Sequence, residues 1–321
     1  MNIRPIEASE RNTYECLAMQ YGTVFNSLAW LDMFGSNVRL YGIFDKGERL
    51  IGGFHLYREK KFGLTIYREP PLTATMGPFL KIDAKNPVAV MDTWKKVLTC
   101  MADFIDGLRY AVVSLSLDKT VIDTQPFIWK KFKVTPGYTY VLDLNKSLDD
   151  IQKAMSAERR NDITKATRDG LTAVKVDHYQ DVGALTSMTY GRQEKEYDRL
   201  LMDQIIYGFA NRDNSFAFIT YKGSQPVSAS FCIYDQTTAY YLFGGYDHEN
   251  RHHGAGALSL WTALGYAKGL GLKYFDFEGS MVPDIERHFR GYGGTLTPYY
   301  RVNKALLPLE MILKLFKREF F

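Results

Sequence analysis

The chain has 321 residues, 46% of them hydrophobic and 14% aromatic, enough to bury one large core or two of moderate size. Charged residues make up 24% with both signs interspersed, and a net charge of +4 spread this thinly excludes the concentrated basic face of a nucleic-acid binder, so no DNA partner is expected. Cys16, Cys100 and Cys232 lie far apart and outside any Cys-x-x-Cys spacing, which excludes a disulfide framework and a thiolate zinc site; no metal is expected.

The first ten residues carry charges and a proline where a signal peptide needs an apolar run. No stretch approaches the roughly 18 apolar residues of a membrane span. Both features predict a cytoplasmic protein. A helix is expected over about 9–21, followed by a hairpin over 43–57 that pivots on Lys46-Gly47. A helical stretch then stops at Gly107-Leu108-Arg109-Tyr110 and passes into an apolar strand. Pro136-Gly137 marks a turn before the alternating strand 138–144, and Ser147 reads as the N-cap of a helix over 149–169. The same wording then returns. A hairpin over 219–234 pivots on Lys222-Gly223, and a helical stretch stops at Gly271-Leu272-Lys273-Tyr274. Helix, hairpin, helix and strand in this order, twice, predict two copies of one mixed α/β (α+β) unit. The expected division is 1–135, 136–303 and a C-terminal helix, 304–321.

The second half contains a loop that the first lacks. After an aromatic strand come Arg251-His252-His253-Gly254-Ala255-Gly256 and a helix over 257–268. Glycines there let a backbone approach a phosphate, and the helix start offers free amides and the positive end of its dipole. Counting back equally from Gly107 sets Val90 and Asp92 opposite Gly254 and Gly256. In the next strand, a period of two puts Asp276 and Glu278 on one face, where the first half has Val112 and Ser114. Two carboxylates on a central strand must be hydrogen-bonded, face a cleft, or pair with an arginine such as Arg287 or Arg290. Arg159 and Arg160, within a basic run that includes Lys165 and Arg168, diverge by about 100 degrees around a helix, so only one faces a cleft. Arg192 is a second cation of this kind, while Tyr240, Tyr241, Phe243 and Tyr246 read as core and cleft lining.

The loop resembles the Arg/Gln-x-x-Gly-x-Gly/Ala pyrophosphate loop of the GNAT acetyltransferases, which implies that Arg251, His253, Gly254, Ala255 and Gly256 meet coenzyme A. Ser156-Ala157-Glu158-Arg159-Arg160-Asn161-Asp162, Asp276-Phe277-Glu278-Gly279-Ser280 and His288-Phe289-Arg290-Gly291-Tyr292-Gly293-Gly294 resemble the FemAB-like branch of that superfamily, with its BioF2-like acetyltransferase domains and peptidoglycan bridge aminoacyltransferases. The resemblance is best over 138–302. It implies a tandem GNAT fold and acyl transfer to an amine on a small or lipid-linked cell-envelope acceptor. Bridge-forming enzymes that use aminoacyl-tRNA carry a helical arm for which this chain has no room. Together with the glycine loop, that favours acetyl-CoA or another acyl-CoA as donor, with tRNA the alternative. Glu278 is then the expected base beside Asp276, with His253 in reserve, and Tyr300 protonates the leaving group. Arg159, Arg192, Tyr241 and Arg290 are the expected acceptor contacts. Finally, Pro308 opens a helix whose Leu309, Ile312, Leu313, Phe316 and Phe320 share one face opposite Lys314, Lys317 and Arg318. Such a helix covers a groove on its own protein or lies at an anionic membrane surface.

Overall fold

The computed structural model describes residues 1–192, 199–279 and 281–316, the side chains of 190–192 excepted. Two compact units divide it: Met1–Gly137 with Pro298–Phe321, and Tyr138–Thr297. The first boundary falls beside the turn at Pro136-Gly137. The second differs from the expectation, because residues from Pro298 onward return to the first unit. There Arg301 to Ala305 pair antiparallel with Ser116 to Val112, so the backbone hydrogen bonds of this strand belong with the first sheet.

In the first unit the strands run in the order Asn2–Pro5, Val38–Phe44, Leu50–Lys61, Leu64–Arg68, Val112–Ser116 and the returning strand. All neighbours are antiparallel except Leu64–Arg68 with Val112–Ser116, which are parallel and therefore joined by a crossover helix, Pro87–Asp106. Asn86 caps that helix, its side chain accepting from the amides of Val88 and Ala89 at 2.9 and 3.4 Å, and Pro87 fills a first-turn position where no N–H is needed. Val97, Leu98, Met101, Ala102 and Ile105, three or four residues apart, bury one face against the sheet.

The second unit repeats this plan. Its strands run Thr172–Val176, Ser215–Lys222, Gln225–Tyr234, Thr238–Tyr246, Tyr274–Asp276 and then 138–143. Again the fourth and fifth are the parallel pair, linked by the helix Ala255–Gly269. The order of elements thus agrees between the units, but the correspondence of helices needs correcting. The helix Arg11–Tyr21 has its counterpart in Gln180–Arg192, the helix between the first and second strands, not in 149–169. That predicted helix is two, Leu148–Ala154 and Ala157–Arg168, because Ser156 at φ −59 and ψ 151 breaks the chain's helical path and caps the second piece through Arg159 N. The pair has no equivalent in the first unit.

Ala255–Gly269 is buried on nearly every side, from Ala255 and Leu258 to Leu264 and Ala267. One side lies on the sheet, where Ser259 Oγ donates to Phe218 O at 3.0 Å, and the other against Ala157–Arg168. Among the described residues no helix is long and apolar enough to cross a membrane, and no group of His, Cys, Asp and Glu could hold a metal ion.

Within the first unit the Glu69 Oε1 atom is buried without a hydrogen-bond partner. Burial pushes its carboxyl up to about 7, against the opposing influence of Ser116, Arg301 and Arg68. A carboxyl whose pKa rises on folding favours the folded state while protonated. That contribution is complete below its ordinary value and is lost as pH climbs through about 7. The melting temperature is therefore expected to fall between about pH 5 and about pH 8, and Glu69→Gln to remove most of that fall. An unchanged pH slope in the variant would show that Glu69 is ionised and solvated in the fold.

Candidate functional site

The parallel ladder of the second unit is short. Thr238, Ala239 and Tyr240 pair with Tyr274, Phe275 and Asp276, and there the two strands part. On one side of the opening the strand Thr238–Tyr246 carries a β-bulge: Phe231 faces Phe243 but Cys232 faces Tyr241, which leaves Leu242 out of the ladder. On the other side the predicted strand to Ser280 stops at Asp276, so Asp276 and Glu278 do not alternate along a strand as expected. Phe277 N instead donates to Tyr140 O at 3.0 Å, and Glu278 takes a left-handed backbone at φ 58, followed by Gly279 at φ 62.

A glutamate at positive φ is strained and persists only where its surroundings hold it. Asp276, 3% exposed, supplies that hold. Its Oδ1 accepts from Glu278 N at 3.0 Å and from Thr139 Oγ1 at 2.5 Å. At Gly279 a side chain would meet Tyr138 O at 2.2 Å, so the turn is locked against the neighbouring strand. Asp276 is thus a positioning residue for Glu278, which is half-buried at the mouth of the opening. The arginines weighed as ion-pair partners are engaged elsewhere: Arg287 with Glu158 at 3.7 Å, and Arg290 with Glu286 at 3.2 Å, whose Oε1 also accepts from Tyr140 Oη at 2.5 Å.

The glycine loop leads into the start of Ala255–Gly269, where Gly254 is the N-cap and no side chain caps the helix. Gly254 therefore corresponds to Asn86, not Val90, because the first unit's helix begins earlier. A Cβ on Gly254 would lie 2.1 Å from the Asp162 carbonyl oxygen and 3.0 Å from Ala166 Cβ. The helix Ala157–Arg168 thus occupies the space that the phosphate reading reserved for a ligand, and packing explains this glycine. Gly256 differs, since a Cβ there meets only Ser228 Oγ, at 3.6 Å.

His252, which sequence reasoning passed over in favour of His253, braces the loop. Its Nδ1 accepts from Gly254 N at 3.1 Å, so its Nε2 carries the proton and donates to Asp169 Oδ2 at 3.1 Å, a bond that holds the Asp169 carboxyl below its ordinary pKa. Its carbonyl accepts from Ala255 N at 3.0 Å and Tyr246 Oη at 3.1 Å. The amides of Gly256 and Ala257 make no hydrogen bond among the described residues, and they are the donors this helix start offers. His253 and Arg251 are exposed beside them.

The motif pieces around 156–162 and 288–294 meet each other rather than Glu278. Of the basic run only Arg159 points inward, as the angular argument requires. Its Nη1 contacts Asp162 Oδ2 at 3.0 Å and His288 Nδ1 at 3.3 Å. Arg160 instead caps the preceding helix through Lys153 O and Met155 O. Burial, then the Arg159 charge, push His288 down to about 4, so it is neutral at pH 7. The buried Tyr292 Oη lies beside this cluster without a hydrogen bond of standard geometry, and burial raises its pKa. Tyr241, half-buried, sets its ring edge-on to Phe289 with centroids 5.9 Å apart. Arg192 closes Gln180–Arg192 and its side chain lies outside the described residues. Tyr300, half-buried, belongs to the first unit, where its carbonyl accepts from Leu117 N at 2.8 Å.

Parallel strands that part beside a bulge, joined by a crossover helix whose first amides stay open, make up the core of the second unit. Residues 146–290 match the family described as the acetyltransferase (GNAT) domain, and that mixed α/β fold is built twice along the chain. Among solved structures the chain is similar to FemX (13% identity, TM-score 0.69, covering 98% of this chain and 100% of that one). It is also similar to the C-terminal domain of a putative lysylphosphatidylglycerol synthetase from Agrobacterium fabrum (11% identity, TM-score 0.56, covering 96% and 97%) and to L-PGS from Bacillus licheniformis (13% identity, TM-score 0.56, covering 97% and 96%). No curated protein sequence matches the chain.

The two glycines of the loop are expected to respond oppositely to alanine. Gly254→Ala forces a methyl into the Asp162 carbonyl and should cost on the order of 2 kcal/mol or more. Gly256→Ala should be neutral or stabilising by up to about 1 kcal/mol, through helix propensity. Equal urea midpoints for the two variants would contradict the packing assigned to Gly254.

Proposed function

We propose that the second unit transfers an acyl group from an acyl-CoA to an amine on an amino sugar or another cell-envelope precursor. The observation that carries this reading is the contrast between equivalent helix starts. In the first unit Asn86 and Pro87 close the helix start, whereas in the second the amides of Gly256 and Ala257 stay open. An anionic donor suits those amides and the helix dipole, with Arg251 within the same loop.

Attack on a thioester requires a neutral amine. Glu278 takes the ammonium proton directly or through a water, and its fixed backbone keeps the carboxylate at the mouth between the parting strands. The amine nitrogen then bonds to the carbonyl carbon, and the oxyanion that forms needs a donor already in place. The Leu242 N–H, at the bulge beside the opening, is the proposed donor. Collapse of the tetrahedral intermediate breaks the carbon–sulfur bond, and the departing thiolate takes the second proton that the former amine nitrogen gives up, directly or through a water, which leaves a neutral amide and a free thiol.

A second donor has its own supporting observation. Because the Asp162 carbonyl fills the Gly254 side and His252 holds the amides of Gly254 and Ala255, the loop has fewer donors for a pyrophosphate than the resemblance implies. That favours an aminoacyl-tRNA ester, attacked by the same amine with the same base. The names of the similar folds, FemX and lysylphosphatidylglycerol synthetase, make peptidoglycan precursors and phospholipid headgroups the first acceptors to test.

Glu278→Gln should lower turnover about 100-fold or more while donor affinity stays within about twofold, as loss of a general base predicts. A thermal shift titration of the same variant separates the donors. A ligand at 100 times its dissociation constant adds about 2.7 kcal/mol, so stabilisation by acetyl-CoA supports the first reading and stabilisation by charged tRNA alone the second. A chain stabilised by neither donor would count against acyl transfer at this site.

A further inference from the structure

The first unit exposes apolar side chains at one end of its sheet. The hairpin between Leu50–Lys61 and Leu64–Arg68 turns through two residues, since Lys61 pairs with Leu64. Phe62 at φ 52 and Gly63 at φ 77 have the positive φ that a type I′ turn demands at both central positions. Asparagine or glycine fits the first of these, and a bulky aromatic is strained there. Phe62 nevertheless occupies it and is completely exposed, at 103% of its reference area. The chain gives up local stability to hold a phenyl ring in solvent.

The C-terminal helix starts at the same end. Ala111, just ahead of Val112–Ser116, donates its N–H to Thr65 O at 2.8 Å, and its carbonyl accepts from Leu306 N at 3.0 Å. The hairpin strand and the start of Leu307–Phe316 therefore flank one residue. Of the two roles the sequence allows this helix, covering a groove or lying at a membrane, the exposure of its side chains favours the second. Leu309 and Leu313 are half-buried, but no residue of the helix is buried, and Leu307, Met311, Leu315 and Phe316 are 78, 69, 73 and 79% exposed. Its apolar surplus points outward.

We propose that this end of the first unit docks on an anionic phospholipid surface, with Phe62 and the outer face of Leu307–Phe316 inserted among the headgroups. The charges favour that occupant over a second protein copy. Lys60 and Lys61 lead into the aromatic tip, with Lys61 3.8 Å from Glu59, and Arg109 stands two residues before Ala111; all three cations are exposed. The nearby carboxylates are already neutralised: Glu59 by Arg68 at 2.9 Å, Asp106 by Lys304, and Glu310 by Lys314 at 2.8 Å. Apolar tips ringed by cations match a headgroup layer, in which rings and aliphatic chains insert while ammonium groups remain with the phosphates. This inference does not rest on the acyl-transfer reading, because its readout needs no donor.

The test is sedimentation of the full chain with vesicles of phosphatidylcholine alone and of phosphatidylcholine mixed equally with phosphatidylglycerol. Binding is expected to the mixed vesicles only and to weaken with salt. Phe62→Asn, which suits the turn, should bind about tenfold more weakly with an equal or higher melting temperature. Leu315→Ser should also bind more weakly, and Lys60→Ala should lose about fivefold. A native chain that stays in the supernatant, or variants that bind as the native chain does, would overturn the proposal. So would a dimer seen by sedimentation velocity without vesicles and dissolved by Leu315→Ser.

Discussion

The second unit is organised around one contact, the Asp162 carbonyl resting on the Cα of Gly254. It joins the inserted helix Ala157–Arg168 to the start of Ala255–Gly269, with the small Ala166 side chain beside it. His252 ties the same corner to the end of the inserted helix through Asp169. Arg159, on that helix, reaches His288 and so holds the segment that follows Glu278. These motif residues, far apart in sequence, thus meet one another within the second unit.

The two units show what the GNAT-type scaffold requires and what it leaves free. Both need the parallel fourth and fifth strands with a crossover helix between them, and both meet that need with buried aliphatic faces. Neither needs an open helix start, because Asn86 closes one without disturbing the plan. The open start and the strained Glu278 are departures from local preference, and such departures concentrate at functional sites. The first unit departs elsewhere: Phe62 sits in an unfavourable turn, and His55 is fully buried with both ring nitrogens unpartnered, its pKa pushed down to about 3 by burial.

The duplication was legible because hairpin turns and helix stops depend on local chemistry: Gly223 and Gly271, at φ 63 and 81, supply backbone conformations that other residues resist. Which glycine of the loop the fold itself requires was not legible, because a glycine required by a passing carbonyl and one required by a ligand look alike in sequence. Glu278 stood out in the sequence, but on grounds the structure changes. Alternation along a strand pointed to it, while the structure ends the strand at Asp276 and fixes Glu278 by a hydrogen bond between side chain and backbone. The bracing by His252 and the bulge at Leu242 left no signal, since they arise from a fold-dependent hydrogen bond to Asp169 and from a register shift opposite Cys232. The inserted helix was read as one piece because Ser156, a good helix cap, also stands in an otherwise helical composition.

The central claim is that the helix start of the second unit receives an anionic donor through the amides left open by the fold. Amide resonances of the chain labelled with nitrogen-15 glycine test it most directly, followed while acetyl-CoA and then charged tRNA are added. The account predicts that Gly256 moves on binding of the true donor, while Gly254, whose proton is held by His252, moves far less. A donor that binds and leaves Gly256 in place would contradict it.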